Sequence, residues 1–219
     1  MADDSHIPAR KAGFYATLGV GAGFPGSPTG VISGQTVGVR TPEGGFRAQS
    51  IGITQNEGAG FNGEIGVGYA FSNGARTELT YGYTGQSLTG WSTDLGPSIS
   101  TSGTYSNSRV LASAYCDIQT KSPFVPYVGG GIGVGFGSYN GHFGDVPGFS
   151  FTGSSSTFAY QAKAGVTYLA SKNLDIFAEG VYQGNTGQAA VVSNGVESVS
   201  VEMSSNNVFG LLAGMRYHF

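Results

Sequence analysis

Asn207-Val-Phe-Gly-Leu-Leu-Ala-Gly-Met-Arg-Tyr-His-Phe219 carries two unlike surfaces on one segment. Taken at every second residue, Phe209, Leu211, Ala213, Met215, Tyr217 and Phe219 share a face. Val208, Gly210, Leu212, Gly214, Arg216 and His218 share the other. Successive side chains of a β-strand point to opposite sides. One side of this strand is therefore wholly apolar or aromatic, and the other holds the charge, the histidine and the glycines. An apolar exterior, a polar interior and a terminal aromatic mark a strand of a transmembrane β-barrel.

Seven earlier segments repeat the pattern. Residues 12–24 set Phe14, Leu18, Val20 and Phe24 against Tyr15, Thr17 and glycines. Residues 58–71 set Phe61, Ile65, Val67, Tyr69 and Phe71 against Asn62 and Glu64. In 76–91, Leu79, Tyr81 and Tyr83 oppose Arg76, Glu78 and Thr80; in 104–118, Val110, Ala112, Ala114 and Cys116 oppose Arg109, Tyr115 and Asp117. The remaining three are 124–139, 157–170 and 174–187. The connections alternate between long and short. Residues 25–57 read as a hairpin rising above the barrel, and 92–103, 140–156 and 188–205 as loops. Asn194-Gly195 in the last loop is a hairpin-turn signal. Residues 72–75, 119–123 and 171–173 are tight turns. Short periplasmic turns and longer external loops are the habit of bacterial outer-membrane barrels.

The expected fold is all-β, an eight-stranded antiparallel up-and-down transmembrane β-barrel, one domain over residues 1–219. Residues 1–11 are expected to be a periplasmic tail, with both termini on that side. Met1-Ala-Asp-Asp-Ser5 has no apolar h-region, so a secretory signal is expected to have been removed. A soluble lipocalin-like barrel would show the opposite pattern, with apolar residues inside.

Composition agrees. Only 11% of residues are charged and 39 of 219 are glycine, with a mean hydropathy near zero. No apolar run is long enough for a membrane helix, but a barrel strand needs only alternate apolar residues. The 14 Phe and 12 Tyr oppose a disordered reading. A net charge of −3 offers no basic patch for nucleic acid. Cys116, the single cysteine, permits no internal disulfide and no cysteine-based zinc site. No cofactor or metal is expected.

The charges segregate. Glu64, Arg76, Glu78, Arg109, Asp117, Lys163, Asp175, Glu179 and Arg216 all fall on the lumen face. At mid-membrane a lipid-facing Arg or Lys costs about 2–4 kcal/mol. Position along the strands places Glu64, Arg109, Lys163 and Glu179 near mid-height, as one salt-bridged network; Arg76, Glu78, Asp117, Asp175 and Arg216 lie lower. An eight-stranded barrel is only just wide enough for side chains to fill it. The lumen glycines either accept large neighbours or leave a water-filled path. Phe71, Phe124, Tyr168, Tyr217 and Phe219 are expected to form a lower interfacial girdle. Phe24, Trp91, Phe136, Phe158, Tyr182 and Phe209 are expected to form an upper one. Gly129-Gly-Gly-Ile-Gly-Val-Gly-Phe-Gly137 is not a nucleotide loop, since no Gly-Lys-Ser/Thr follows. For a lipid-modifying enzyme, His142 with Asp145 and nearby serines is the candidate site.

Two stretches carry a resemblance: Pro123-Phe-Val-Pro-Tyr-Val-Gly-Gly-Gly-Ile-Gly-Val134 and Phe158-Ala-Tyr-Gln-Ala-Lys-Ala-Gly-Val-Thr-Tyr168. They resemble the bacterial surface-antigen family of eight-stranded outer-membrane barrels. The ending Gly214-Met-Arg-Tyr-His-Phe219 resembles the signal, here Tyr217 and Phe219, that the barrel-assembly machinery recognises. The resemblance implies a surface-exposed outer-membrane protein without catalytic residues, credited with adhesion or pore activity. The expected function is a structural or surface-interaction protein, antigen- or adhesin-like, whose loops meet an extracellular partner. A small passive pore is the alternative, and the lipid-modifying enzyme a third reading.

Overall fold

The computed structural model describes residues 12–33, 38–40, 46–48, 51–93, 96–143, 150–193 and 198–219. The expected tail 1–11, Asp145 and Asn194-Gly195 lie outside the described residues. Fourteen strands follow one another: β1 (Gly13–Pro25), β2 (Thr29–Ser33), β3 (Gly38–Arg40), β4 (Phe46–Ala48), β5 (Ile51–Glu57), β6 (Gly60–Ala70), β7 (Ala75–Thr93), β8 (Gly96–Asp117), β9 (Phe124–Phe143), β10 (Ser150–Leu169), β11 (Leu174–Asn185), β12 (Gln188–Ser193), β13 (Ser198–Met203) and β14 (Asn206–His218).

The antiparallel ring β1-β6-β7-β8-β9-β10-β11-β14 closes on itself when β14 pairs with β1. Eight strands therefore stand as expected. At the turn end, Phe71 to Ala75 reverses the chain around Gly74, whose φ of 87° is left-handed. Asn73 Oδ1 accepts the Ala75 amide at 3.0 Å there. The last residue is tied in as well: the Phe219 amide donates to the Phe14 carbonyl at 3.1 Å.

Outward positions of this ring are apolar and exposed: Leu18, Ile65, Leu79, Val110, Ile132, Ile176, Leu211 and Met215 among them. A band of this extent is untenable in water and fits hydrocarbon. Cys116 is exposed on the same outer surface. Inward positions carry the charges.

The far end departs from the sequence reading. Residues 92–103, 140–156 and 188–205 are expected as loops, yet most of their described length is strand. β7, β8, β9 and β10 run on without interruption. The other staves break and resume: β1 into β2 across Gly26–Pro28, β5 into β6 across Gly58-Ala59, β11 into β12 across Thr186-Gly187, and β13 into β14 across Ser204-Ser205. Above the breaks a second ring forms, β2-β5-β7-β8-β9-β10-β12-β13. The segment 25–57 is thus not a simple hairpin above the barrel. It supplies two staves of the upper ring, together with a separate β3–β4 pair. Bonds across the breaks keep the wall continuous: Gly26 donates to Asn207 at 2.8 Å and Gln55 to Pro28 at 2.9 Å.

The β1–β2, β5–β6 and β13–β14 breaks each shift the alternation by one residue. In β1 the even residues Leu18 to Phe24 face out, whereas in β2 it is Thr29 and Val31. In β6 Phe61 and Ile65 face out, whereas in β5 Ile53 and Gln55 are buried. A one-residue slip exchanges the faces of a strand.

Candidate functional site

The lumen is built in tiers. Nearest the turn end, Arg76 Nε meets Asp117 at 3.0 Å. Its guanidinium lies over the rings of Tyr115 (4.6 Å) and Tyr127 (5.0 Å). Beside it Arg216 pairs with Asp175 at 3.4 Å, and His218 Nε2 reaches the same carboxylate at 3.0 Å. Arg216 also lies over Tyr15 and Phe177. These rings both fill space and face the cations. Glu78 accepts from the Tyr115 hydroxyl at 3.4 Å.

Lys163 forms the next tier. Its ammonium pairs with Glu64 and, at 2.8 Å, with Glu179. The second oxygen of Glu179 accepts from the Tyr127 hydroxyl at 2.6 Å. One buried cation thus bridges two carboxylates from opposite parts of the ring.

Arg109 does not join them, which corrects the four-residue network expected from sequence. Its Nη2 donates to Gln183 Oε1 at 2.8 Å and to Asn62 Oδ1 at 3.5 Å; Nη1 reaches Asn107 Oδ1 at 3.5 Å. Among the described residues its partners are amides, because Lys163 already occupies the space between the acids. A belt of buried amides surrounds it: Asn62, Gln86, Asn107, Gln183, Asn185 and Asn206, with Thr84. Sequence reasoning missed this belt. Its signal was present, since each amide sits on the same alternate face as the charges.

At the level of the breaks stands Glu57. Its Oε1 accepts from Gln55 at 2.5 Å and from Asn206 at 3.2 Å. Burial pushes its carboxyl up to about 7, against the pull of those two donors. Above it the lumen turns apolar: Ile53, Leu88, Trp91, Tyr105, Tyr139, Phe151 and Met203 make one cluster. Tyr105 and Tyr139 stack at 4.6 Å, and Trp91 meets Phe151 at 5.4 Å.

The lumen glycines take up their large neighbours. A Cβ on Gly129 would lie 2.1 Å from Tyr115, and one on Gly214 would lie 2.5 Å from Phe177. Two small cavities lie among the described lumen residues. One of about 10 Å³ lies among Glu64, Arg76, Lys163 and Glu179, and another of about 10 Å³ beside Arg109, Asn107 and Asn206. Each has room for about one water.

Of the aromatics expected at the interfaces, Phe24, Phe71, Phe124, Phe136, Phe158, Tyr168, Tyr182, Phe209, Tyr217 and Phe219 point outward and are exposed. Trp91 does not. It is 3% exposed, inside the apolar cap. The ladder between β7 and β8 shifts register between Leu88 and Gly90 and again between Trp91 and Thr93. The first of these, which precedes Trp91, turns its side chain inward. His142 is exposed on β9, and its expected partner Asp145 lies outside the described residues. Among the described residues no cluster of His, Cys, Asp and Glu is arranged to hold a metal ion.

The sequence profile described as surface antigen matches residues 98–219, more than half of the chain. The chain belongs to the surface antigen family. Solved barrels agree with this fold for the family member. OprG, an outer-membrane protein of Pseudomonas aeruginosa, superposes with a TM-score of 0.64 at 16% identity, over 98% of this chain and all of that one. Neisserial surface protein A gives 0.54 at 19% identity, over 96% of this chain and 100% of its own. The outer-membrane protease OmpT of Escherichia coli gives 0.55 at 12% identity, over 99% and 100%. No curated protein matches the chain. Likeness at these identities shows the fold. With the family match it makes this surface antigen an outer-membrane β-barrel.

Proposed function

We propose that this surface antigen is a surface-interaction protein whose lumen does not conduct. The hairpin end faces the exterior and forms the contact platform; the turns and both termini face the periplasm. The observation that carries the reading is the filled lumen. Among the described residues, ion-pair tiers, an amide belt and an apolar cap follow one another along the axis, with two spaces of about 10 Å³ between their side chains. Such a filling resists solute passage and stiffens the platform above it. During assembly, Tyr217 and Phe219 serve as the recognition signal for the barrel-assembly machinery.

The passive-pore reading has one observation in its favour. Asn62 Nδ2, both side-chain polar atoms of Gln86 and Glu57 Oε2 are buried without a partner among the described residues, and water would satisfy them. Single-channel recording in a planar bilayer separates the two. A silent membrane is the expected result; regular conductance steps would put the pore first.

A further inference from the structure

Among the described residues, Arg109 is the buried cation that meets no carboxylate. Arg76 pairs with Asp117, Arg216 with Asp175, and Lys163 with Glu64 and Glu179. Arg109 is 4% exposed, and its Nη atoms reach carboxamide oxygens alone. Its Nε is buried without a partner among the described residues. A buried charge left unpaired and short of a hydrogen bond is costly. The cavity of about 10 Å³ lies beside it. Arg109 supplies the one charge in its lining, Thr84, Asn107, Gln183, Asn185 and Asn206 supply neutral polar groups, and no Asp or Glu borders it. Spare donors outnumber spare acceptors there. A carboxamide nitrogen carries two hydrogens. Asn107 gives one to Tyr105 at 3.1 Å, Asn185 one to Thr157 at 3.1 Å, Asn206 one to Glu57 at 3.2 Å and Gln183 one to Thr84 at 3.1 Å. Each keeps a second. The oxygens of Asn107 and Gln183 are taken by the guanidinium, while Asn206 Oδ1 is a buried acceptor left over.

We infer that this cavity binds one small monovalent anion, a halide such as chloride, held by Arg109 Nε and the spare carboxamide hydrogens. Size selects a monatomic ion, since a space with room for about one water excludes phosphate and carboxylates. Charge selects an anion over water. An anion neutralises the guanidinium and accepts a charge-assisted hydrogen bond from it, whereas a water leaves the charge uncompensated. The carboxylates that could compete are engaged elsewhere. Glu64 and Glu179 are turned to Lys163. Glu57, which shares Asn206 with the site, keeps its proton below about pH 7 and there adds no repelling charge. The site is closed in the lumen wall, so the inference holds whichever end of the barrel faces outward.

The full chain is unfolded by urea in phosphatidylcholine vesicles at about pH 6, below the range in which Glu57 ionises. One series is run in sodium chloride and one, at the same ionic strength, in sodium gluconate, whose anion is too large for the space. An ion bound with a dissociation constant of about 30 mM should raise the folding constant about five-fold in about 150 mM chloride. Arg109→Gln, which removes the charge, should bring the two salts to parity. Equal folding constants in the two salts with the unaltered chain overturn the proposal. A chloride effect of the same size in Arg109→Gln overturns it too, since the effect then belongs to another part of the surface. Crystals of the unaltered chain grown in bromide give a readout that needs no variant to fold. An anomalous peak within hydrogen-bond distance of Arg109 Nε is the expected result, and an ordered water alone at that place overturns the anion.

Discussion

Lys163 is the residue on which the middle of the lumen depends. Its side chain is 1% exposed and lies between two carboxylates. Breaking a buried ion pair by removing one partner costs about 3–5 kcal/mol, because the other charge stays buried and uncompensated. Lys163→Met leaves two such carboxylates and should lower the unfolding free energy, measured by urea titration in lipid vesicles, by that order. Glu179→Gln should cost less, since Glu64 still holds the ammonium. The double substitution should fall short of the sum; simple additivity would show that the two residues are uncoupled. Glu57 makes a prediction of opposite sign. Its carboxyl is raised from 4.5 to about 7, so the folded state binds more protons than the unfolded state between those values. Its contribution to stability should then be full below about pH 4.5, fall as the pH rises to about 7, and level off, a loss of about 3 kcal/mol. Glu57→Gln keeps the bonds from Gln55 and Asn206 and should flatten the profile. An unchanged slope in that variant would assign it to another group.

At the scale of the element, β7 is the most informative strand. It crosses from hydrocarbon to the upper ring and bulges twice near its end. The first bulge places Trp91 beside Phe151 in the cap. Because it is the single tryptophan of the chain, its fluorescence reports on that packing directly. Emission should be blue-shifted, resist acrylamide, and be indifferent to brominated lipid. Strong quenching by brominated lipid would return Trp91 to the membrane interface. The four interrupted staves make a related point. Pro25 and Pro28 flank the break between β1 and β2, and a proline has no amide to give the ladder. The chain uses that loss to shift the alternation where the surroundings change from lipid to water.

The whole molecule is one wall with two environments. Below the upper aromatics the exterior is apolar and the interior charged; above them the exterior of β7 to β10 is hydroxyl-rich and the interior apolar. Each half follows the rule that apolar surface faces whatever is least like water. Orientation follows from which half stands outside. In a Cys116→Ala background, Asn140→Cys should react with a membrane-impermeant maleimide on intact cells, and Asn73→Cys should react after permeabilisation alone. Labelling of Asn73→Cys on intact cells would invert the proposed topology.

The eight staves were legible because alternation is a local property. Phe209 to Phe219 shows its two faces without help from any other strand, and the charges follow because lipid admits none of them. The tight turn at Asn73-Gly74 was legible for the same reason: its geometry is fixed within four residues. What the sequence could not declare was anything that depends on a shift of register. Trp91 looks outward by its number, and the bulge between Leu88 and Gly90 turns it in. Residues 140–143 and 150–156 look like loop because Ser and Thr replace the expected apolar face, although strands β9 and β10 run through them and only the solvent has changed. The partners inside the lumen were beyond it too. Glu64, Arg109, Lys163 and Glu179 share a face, but which cation meets which acid is set by the closure of the ring. That closure brings Lys163 between Glu64 and Glu179, far apart along the chain, and leaves Arg109 to the amides.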